Sequence, residues 1–271
     1  MTPEEALSLI PGWDPESVQI SRIKGGLTNR TFRVKRGGHS YVLRLDAEHT
    51  KAFNLDRSSE LAILRHAAAA GLAPDVVFSD THAGIMLCVF LPGTTWDESH
   101  LNGNHNLEAL AHLLRRVHAL PLSDISFDPV RVARRYAANL ESHHDLYAFA
   151  TQCEEIIAQI PLTANYCCCH NDIIAKNVIA TPALRLLDWE YACDNDPLFD
   201  LASLIGFHNL GHEQAWVFLS AYAGGLELWD QLQAQVRLYD AIQWLWLANR
   251  HLISDDAGQV ARLEELQQRI G

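Results

Sequence analysis

Apolar and polar positions alternate in short stretches early in the chain and recur at helical spacing later. Val18 to Lys24, Thr31 to Lys35 and Ser40 to Leu45 read as strands. Arg36-Gly37-Gly38-His39 joins the last two and is a turn by composition. Ser58-Ser59-Glu60 opens a helical segment, Leu61 to Ala70, which Gly71 stops. Val76 to Phe78 and Ile85 to Phe90 are apolar runs of strand length, and Leu91-Pro92-Gly93 then breaks the pattern. That break sets the expected domain boundary, 1–92 followed by 93–271. Beyond it Leu107 to Leu120 carries apolar residues at 107, 110, 114 and 117, the helical period, and ends at Pro121. Further helices are expected at about 130–145, 147–160, 197–209, 212–224, 227–252 and 257–269. At the start, Thr2 can cap a helix, Pro3 suits its first position and Glu5 can complete a capping box. The expected class is α+β, with a small β-rich N-terminal part holding one internal helix and a larger, mainly helical C-terminal part.

One segment interrupts the helical half and carries the chemistry. His170-Asn171-Asp172-Ile173-Ile174-Ala175-Lys176-Asn177 is followed by Val178-Ile179-Ala180, Leu184 to Leu187, and Asp188-Trp189-Glu190. The two apolar runs flank Thr181-Pro182, so a hairpin is expected. Folding back sets Asn177 roughly opposite Asp188 and offers two oxygen ligands to one hard cation, Mg²⁺. Asp172 can accept a proton from an alcohol. Phosphoryl transfer from ATP needs positioning and charge neutralisation more than covalent chemistry, and this trio supplies both. In the first part, Gly25 and Gly26 follow a strand and would let the backbone approach nucleotide phosphates closely.

Composition and charge narrow the partners. The 271 residues are 48% hydrophobic and 20% charged, ordinary for a globular protein. No segment approaches the roughly 20 apolar residues of a membrane span, and no signal-like start is present, so a cytoplasmic location is expected. The net charge of −12 argues against broad contact with nucleic acid or an anionic membrane and favours a cationic co-substrate. Nothing marks an obligate protein partner. Of six cysteines, Cys88, Cys153, Cys167, Cys168, Cys169 and Cys193, three are consecutive and cannot all reach one metal. They read as reduced thiols in a buried strand, with a zinc site on Cys167, Cys169, His170 and Cys193 as the alternative.

Gly25-Gly26-x-Thr28-Asn29, Val42-Leu43-Arg44, Glu60, the His170/Asp172/Asn177 loop and Asp188-Trp189-Glu190-Tyr191 together resemble the aminoglycoside phosphotransferase and choline kinase superfamily. Asp188 to Tyr191, Asn195 and Phe199-Asp200-Leu201-Ala202 are more similar to the choline, ethanolamine and thiamine kinase branch. The resemblance implies a protein-kinase-like, two-lobed fold and an ATP- and Mg-dependent kinase acting on a small alcohol. An aminoglycoside or sugar kinase is the alternative acceptor class, and a catalytically silent nucleotide-binding scaffold the alternative of another kind.

By the same resemblance, Arg44 contacts the donor phosphates, Glu60 pairs with Arg44, and Gly25, Gly26, Thr28 and Asn29 cover the nucleotide. The link Val89 to Gly93, with Phe90, holds the adenine edge. His170 orients the loop, Asp200 buttresses it, and Lys176 lies near the migrating phosphoryl group. Glu190, Tyr191, Trp244 and Trp246 are candidates for a cation pocket, since ring faces and carboxylates attract a quaternary ammonium. Gln243 stands where the family pattern has its first Trp. Trp244 and Trp246, two apart, cannot share one helix face, so at least one is expected to be core.

Overall fold

The computed structural model describes residues 1–23, 29–47, 55–161, 165–253 and 257–271. It has the α+β, protein-kinase-like fold expected from the sequence, divided into two compact units. The first comprises Met1–Asp97 with Lys176–Cys193, the second Glu98–Ala175 with Asp194–Gly271.

In the first unit, Thr2 caps α1 (Pro3–Ser8) through a capping box with Glu5, as the opening residues predict. An antiparallel sheet follows in the order β1 (Gln19–Ile23), β2 (Asn29–Arg36), β3 (His39–Asp46), β5 (Ile85–Val89), β4 (Val76–Asp80). Gly37 and Gly38 both have positive φ, 54° and 83°, the conformation a two-residue hairpin loop requires. They set Arg36 opposite His39 in the β2–β3 register. Leu43, Leu45, Ile85 and Leu87 from the sheet meet Ala6, Leu7 and Ile10 in one apolar core. Between β3 and β4 lies α2 (Arg57–Ala69), capped by Asp56 rather than by the serines that follow.

A second, three-stranded sheet joins β6 (Thr94–Thr95), β8 (Val178–Ala180) and β9 (Leu184–Leu186). Gly93 is required beside it, because an added Cβ would stand 2.3 Å from the Ala180 carbonyl oxygen. The hairpin around Thr181-Pro182 is present, with Val178 opposite Leu186. Leu186 also donates its N–H to the Leu72 carbonyl at 2.8 Å. Hence 176–193 belongs with the first unit, which extends to Asp97. A single cut after Pro92 places that returning segment in the other part.

The second unit holds α3 (Asn104–Val117), α4 (Pro129–Ala138), α5 (His144–Gln159), α6 (Pro197–His208), α7 (His212–Ala223), α8 (Trp229–His251) and α9 (Ala257–Ile270). Its short pair of strands is β7 (Cys167–Cys169) and β10 (Cys193–Asn195). The helical stripe read from α3 is its buried face: Leu107, Leu110, Leu114 and Val117 are inaccessible. Helix α4 stops at Ala138, short of the expected 145. Gly206 lets α6 approach α8 closely, since a Cβ there would lie 2.6 Å from the Tyr239 ring. Among the described residues, no helix is long and apolar enough to cross a membrane.

Candidate active site

Strand alternation places the basic residue of the first unit. Leu43 and Leu45 point into the core, so Arg44 between them faces the other side of the sheet. There its guanidinium forks onto Glu60, in the first turn of α2. Nη1 meets Oε1, and Nη2 donates to Oε2 at 2.7 Å. This is the pair the sequence led us to expect. Two parallel bonds fix the direction of Arg44 as a single contact would not.

Arg57, which the sequence reading did not single out, ties the surroundings together. Its guanidinium reaches Glu60 at 2.8 Å, Asp46 at 2.9 Å, the Asn29 side-chain oxygen at 2.8 Å and Glu190 at 3.2 Å. Asn29 in turn donates to Glu190 at 2.8 Å. Burial alone would raise the Glu60 pKa, but Arg44 and then Arg57 outweigh it and hold the carboxyl below its usual range. For Arg44, burial opposes the charge, while Glu60, Asp188 and Glu190 together hold the guanidinium ionised.

The hairpin of the first unit presents the metal candidates. Leu187 donates its N–H to the Asn177 carbonyl at 2.8 Å, which sets Asp188 one residue past the partner of Asn177. Asp188 has φ 61°, a left-handed conformation that costs a side-chain-bearing residue on the order of 1 kcal/mol or more. Asn177 is buried. An amide oxygen and a carboxylate on adjoining hairpin ends are oxygen donors, the ligand type that fits Mg²⁺.

In the second unit, the loop after β7 is bolted to α6 through its main chain. His170 and Asn171 donate their N–H groups to the two carboxylate oxygens of Asp200, at 3.0 and 2.6 Å. Ile173 N–H bonds the Ser203 hydroxyl at 3.0 Å, and Ala175 N–H bonds His208 Nε2 at 3.0 Å. Asp200 and Ser203 lie one helical turn apart, so a single stretch of α6 supplies these anchors. His118 of the chain just after α3 reaches Asp200 at 2.9 Å, and Asn195 donates to the Asn171 side-chain oxygen at 2.8 Å. Asn171 has φ 63°. Asp172 rides half-buried between clamped neighbours. His170 is fully buried.

The remaining candidates divide. Gly25, Gly26 and Thr28 lie outside the described residues. Asn29 and Glu190 belong to the Arg57 network, with Glu190 buried. Phe90 donates its N–H to the Ser40 carbonyl at 3.0 Å and carries the Arg33 guanidinium 4.1 Å above its ring. Val89 donates to Asp75. The N–H groups of Val89 and Phe90 are thus spent within the sheet region. Tyr191 is half-buried and Lys176 exposed. Trp244 is the core tryptophan of its pair, 4.6 Å from the Phe149 ring. Trp246 is half-buried, with the Arg250 guanidinium 5.4 Å from its ring. Beyond Arg57, the sequence reading missed His118, Ser203 and His208. Ser203, one turn after Asp200, was the available signal.

The second unit carries a carboxylate on an anchored loop, and the first carries oxygen-bearing side chains on a hairpin and a directed arginine, residue types that phosphoryl transfer uses. The model of the phosphotransferase enzyme family matches residues 19–245, and the chain belongs to that family. The protein LicA of Haemophilus influenzae is 29% identical over 253 residues, covering 86% of this chain and 70% of the relative. Thiamine kinase of Escherichia coli is 25% identical over 249 residues, covering 88% and 82%. The crystal structure of choline kinase LicA from Streptococcus pneumoniae superposes with a TM-score of 0.78 at 23% identity, covering 94% of each chain. These similarities support the choline and ethanolamine kinase branch of the superfamily.

Proposed function

We propose that the protein transfers the γ-phosphoryl group of ATP, with Mg²⁺, to the hydroxyl of a small cationic alcohol of the choline, ethanolamine or thiamine kind. The observation that carries the reading is the clamping of Asp172: four main-chain N–H groups around it are held by Asp200, Ser203 and His208. Such rigidity serves a group that must meet a hydroxyl in one orientation. Asp172 aligns the acceptor O–H and takes its proton late, as the new P–O bond forms and the bond to the ADP oxygen breaks. An ordinary carboxylate suffices, because a loose transition state demands little basicity.

Asn177 and Asp188 would hold the magnesium ion, which supplies neutralisation of donor phosphate charge when bound. Arg44, directed by Glu60, would bind phosphate oxygens. A guanidinium does so bidentately and stays charged. The acidic chain favours a cationic acceptor, and relatives named as thiamine and choline kinases point to the same class. Trp246, half-buried in the second unit, is the ring proposed to face the cation.

ADP release measured across choline, ethanolamine, thiamine, aminoglycosides and sugars tests the acceptor class. Turnover should be highest with one of the first three. A preference for an aminoglycoside or sugar would refute the small-cation reading while keeping the kinase.

Magnesium linkage offers a separate check. At a hundredfold excess over Kd, Mg-ATP should add about 2.7 kcal/mol of stability. For a chain of this size that is a Tm rise of several degrees, at roughly 2–4 °C per kcal/mol. In Asp188→Ala the magnesium-dependent part of the rise should vanish; an undiminished rise would remove Asp188 from the metal site.

A further inference from the structure

Beside the Asp200 anchor, two thiols and an imidazole meet that phosphoryl transfer does not use. One ring nitrogen of His118 and the Sγ atoms of Cys167 and Cys169 all lie within 4.8 Å of one another. Strand alternation puts Cys167 and Cys169 on the same face of β7, and their sulfurs stand 3.5 Å apart. Two thiolates on one tetrahedral zinc ion, at Zn–S bonds of about 2.3 Å, would stand about 3.8 Å apart. The pair needs almost no movement to chelate. This set differs from the zinc alternative read in the sequence, since His118 takes the place of His170 and Cys193.

The histidine already has the support that metal-binding imidazoles use. Its Nε2 lies 2.9 Å from the Asp200 carboxylate, which can only accept, so Nε2 carries the hydrogen. Nδ1 is then the lone-pair nitrogen, and it receives the Tyr222 hydroxyl at 2.7 Å. A carboxylate fixing one ring nitrogen while the other faces a ligand pocket is the usual outer-shell arrangement of histidine metal sites. Burial first, then Cys167, Cys169 and Asp200, push the Tyr222 phenol well up. Cys167 and Tyr222 are half-buried, which leaves a route from solvent, while Cys169 is inaccessible. All six cysteines are free thiols.

We propose that His118 Nδ1, Cys167 Sγ and Cys169 Sγ form a site for one thiophilic d¹⁰ cation such as Zn²⁺, with a fourth position open to water or to the Tyr222 oxygen. Binding converts two S–H groups to thiolates, releases their two protons to solvent and displaces the Tyr222 hydrogen bond from Nδ1. A cation on Nδ1 strengthens the Nε2–H bond to Asp200, and Asp200 holds the N–H groups of His170 and Asn171. The site thereby braces the loop that carries Asp172 through its Asp200 anchor. Nothing in this rests on the acceptor or on turnover.

The test is a titration of the full chain, reduced with a phosphine and freed of metal, with Co²⁺ as the spectroscopic probe and Zn²⁺ as competitor. One equivalent of Co²⁺ should give a thiolate-to-cobalt charge-transfer band and the strong visible bands of tetrahedral cobalt. Zn²⁺ should abolish both, with two protons released per metal. Cys167→Ser and Cys169→Ser should lose the charge-transfer band, whereas Cys153→Ser and Cys193→Ser should keep it. X-ray absorption on the zinc-loaded wild-type chain should count two sulfurs, a readout that survives even if a variant fails to fold. Absence of saturable binding would overturn the proposal. So would a band that persists in Cys167→Ser, or a zinc ion without sulfur neighbours.

Discussion

Replacing Asp172 by alanine should lower turnover by about 10²–10⁴-fold, the usual worth of a positioned proton acceptor. Fold and nucleotide affinity should change little. The loop is secured through the main-chain N–H groups of His170, Asn171, Ile173 and Ala175, which the substitution leaves in place. Asp172 itself is only half-buried. Steady-state rates, a thermal melt and nucleotide titration on the same preparation separate these effects. Wild-type turnover in Asp172→Ala would remove this residue from the chemistry.

The largest loss of stability is expected from Glu60→Ala. Glu60 is 1% exposed and bonds both Arg44 and Arg57, whose side chains are 14% and 9% exposed. Truncation leaves two cations partly buried, and breaking one partner out of a buried pair costs about 3–5 kcal/mol. That is a large share of the roughly 5–15 kcal/mol that keeps a domain folded. Glu60→Gln keeps acceptor capacity toward one arginine and should cost less.

The same argument fixes the pH dependence. The folded pKa of Glu60 is depressed, so its contribution is complete above the unfolded carboxyl value, about 4.3, and is lost as pH falls through the folded value. Urea melts of wild type and Glu60→Ala at neutral pH should differ strongly and converge in acid. A difference below about 1 kcal/mol at neutral pH, the worth of an exposed pair, would show that the pair is solvated.

The elements were legible because their signals are local. Gly37-Gly38 marks a hairpin loop through backbone conformation, the 107/110/114/117 stripe marks a helix face, and Thr181-Pro182 between apolar triplets marks another hairpin. The Arg44–Glu60 pair was reachable for a similar reason, since alternation in β3 and the first turn of α2 each dictate a side-chain direction. What stayed hidden depends on long-range contact. No periodicity says that Arg57 reaches Asn29, Asp46 and Glu190, or that His118 reaches Asp200. The return of 176–193 to the first unit was equally invisible, because strand pairing with β6 spans more than eighty residues of chain. Glu190, an acid beside two rings, reads as a cation binder, and no local signal says that its carboxylate also bonds Arg57 and Asn29. Trp244 and Trp246 were separable in principle by helical geometry, though not which one faces the core.

Phosphorus NMR of the chain incubated with ATP, Mg²⁺ and choline, ethanolamine or thiamine tests the central assignment most directly. A new phosphate-ester resonance should grow in step with ADP for at least one acceptor and be absent without it. ADP appearing only with inorganic phosphate, or an unchanged ATP spectrum with every acceptor, would contradict phosphoryl transfer to a small cationic alcohol.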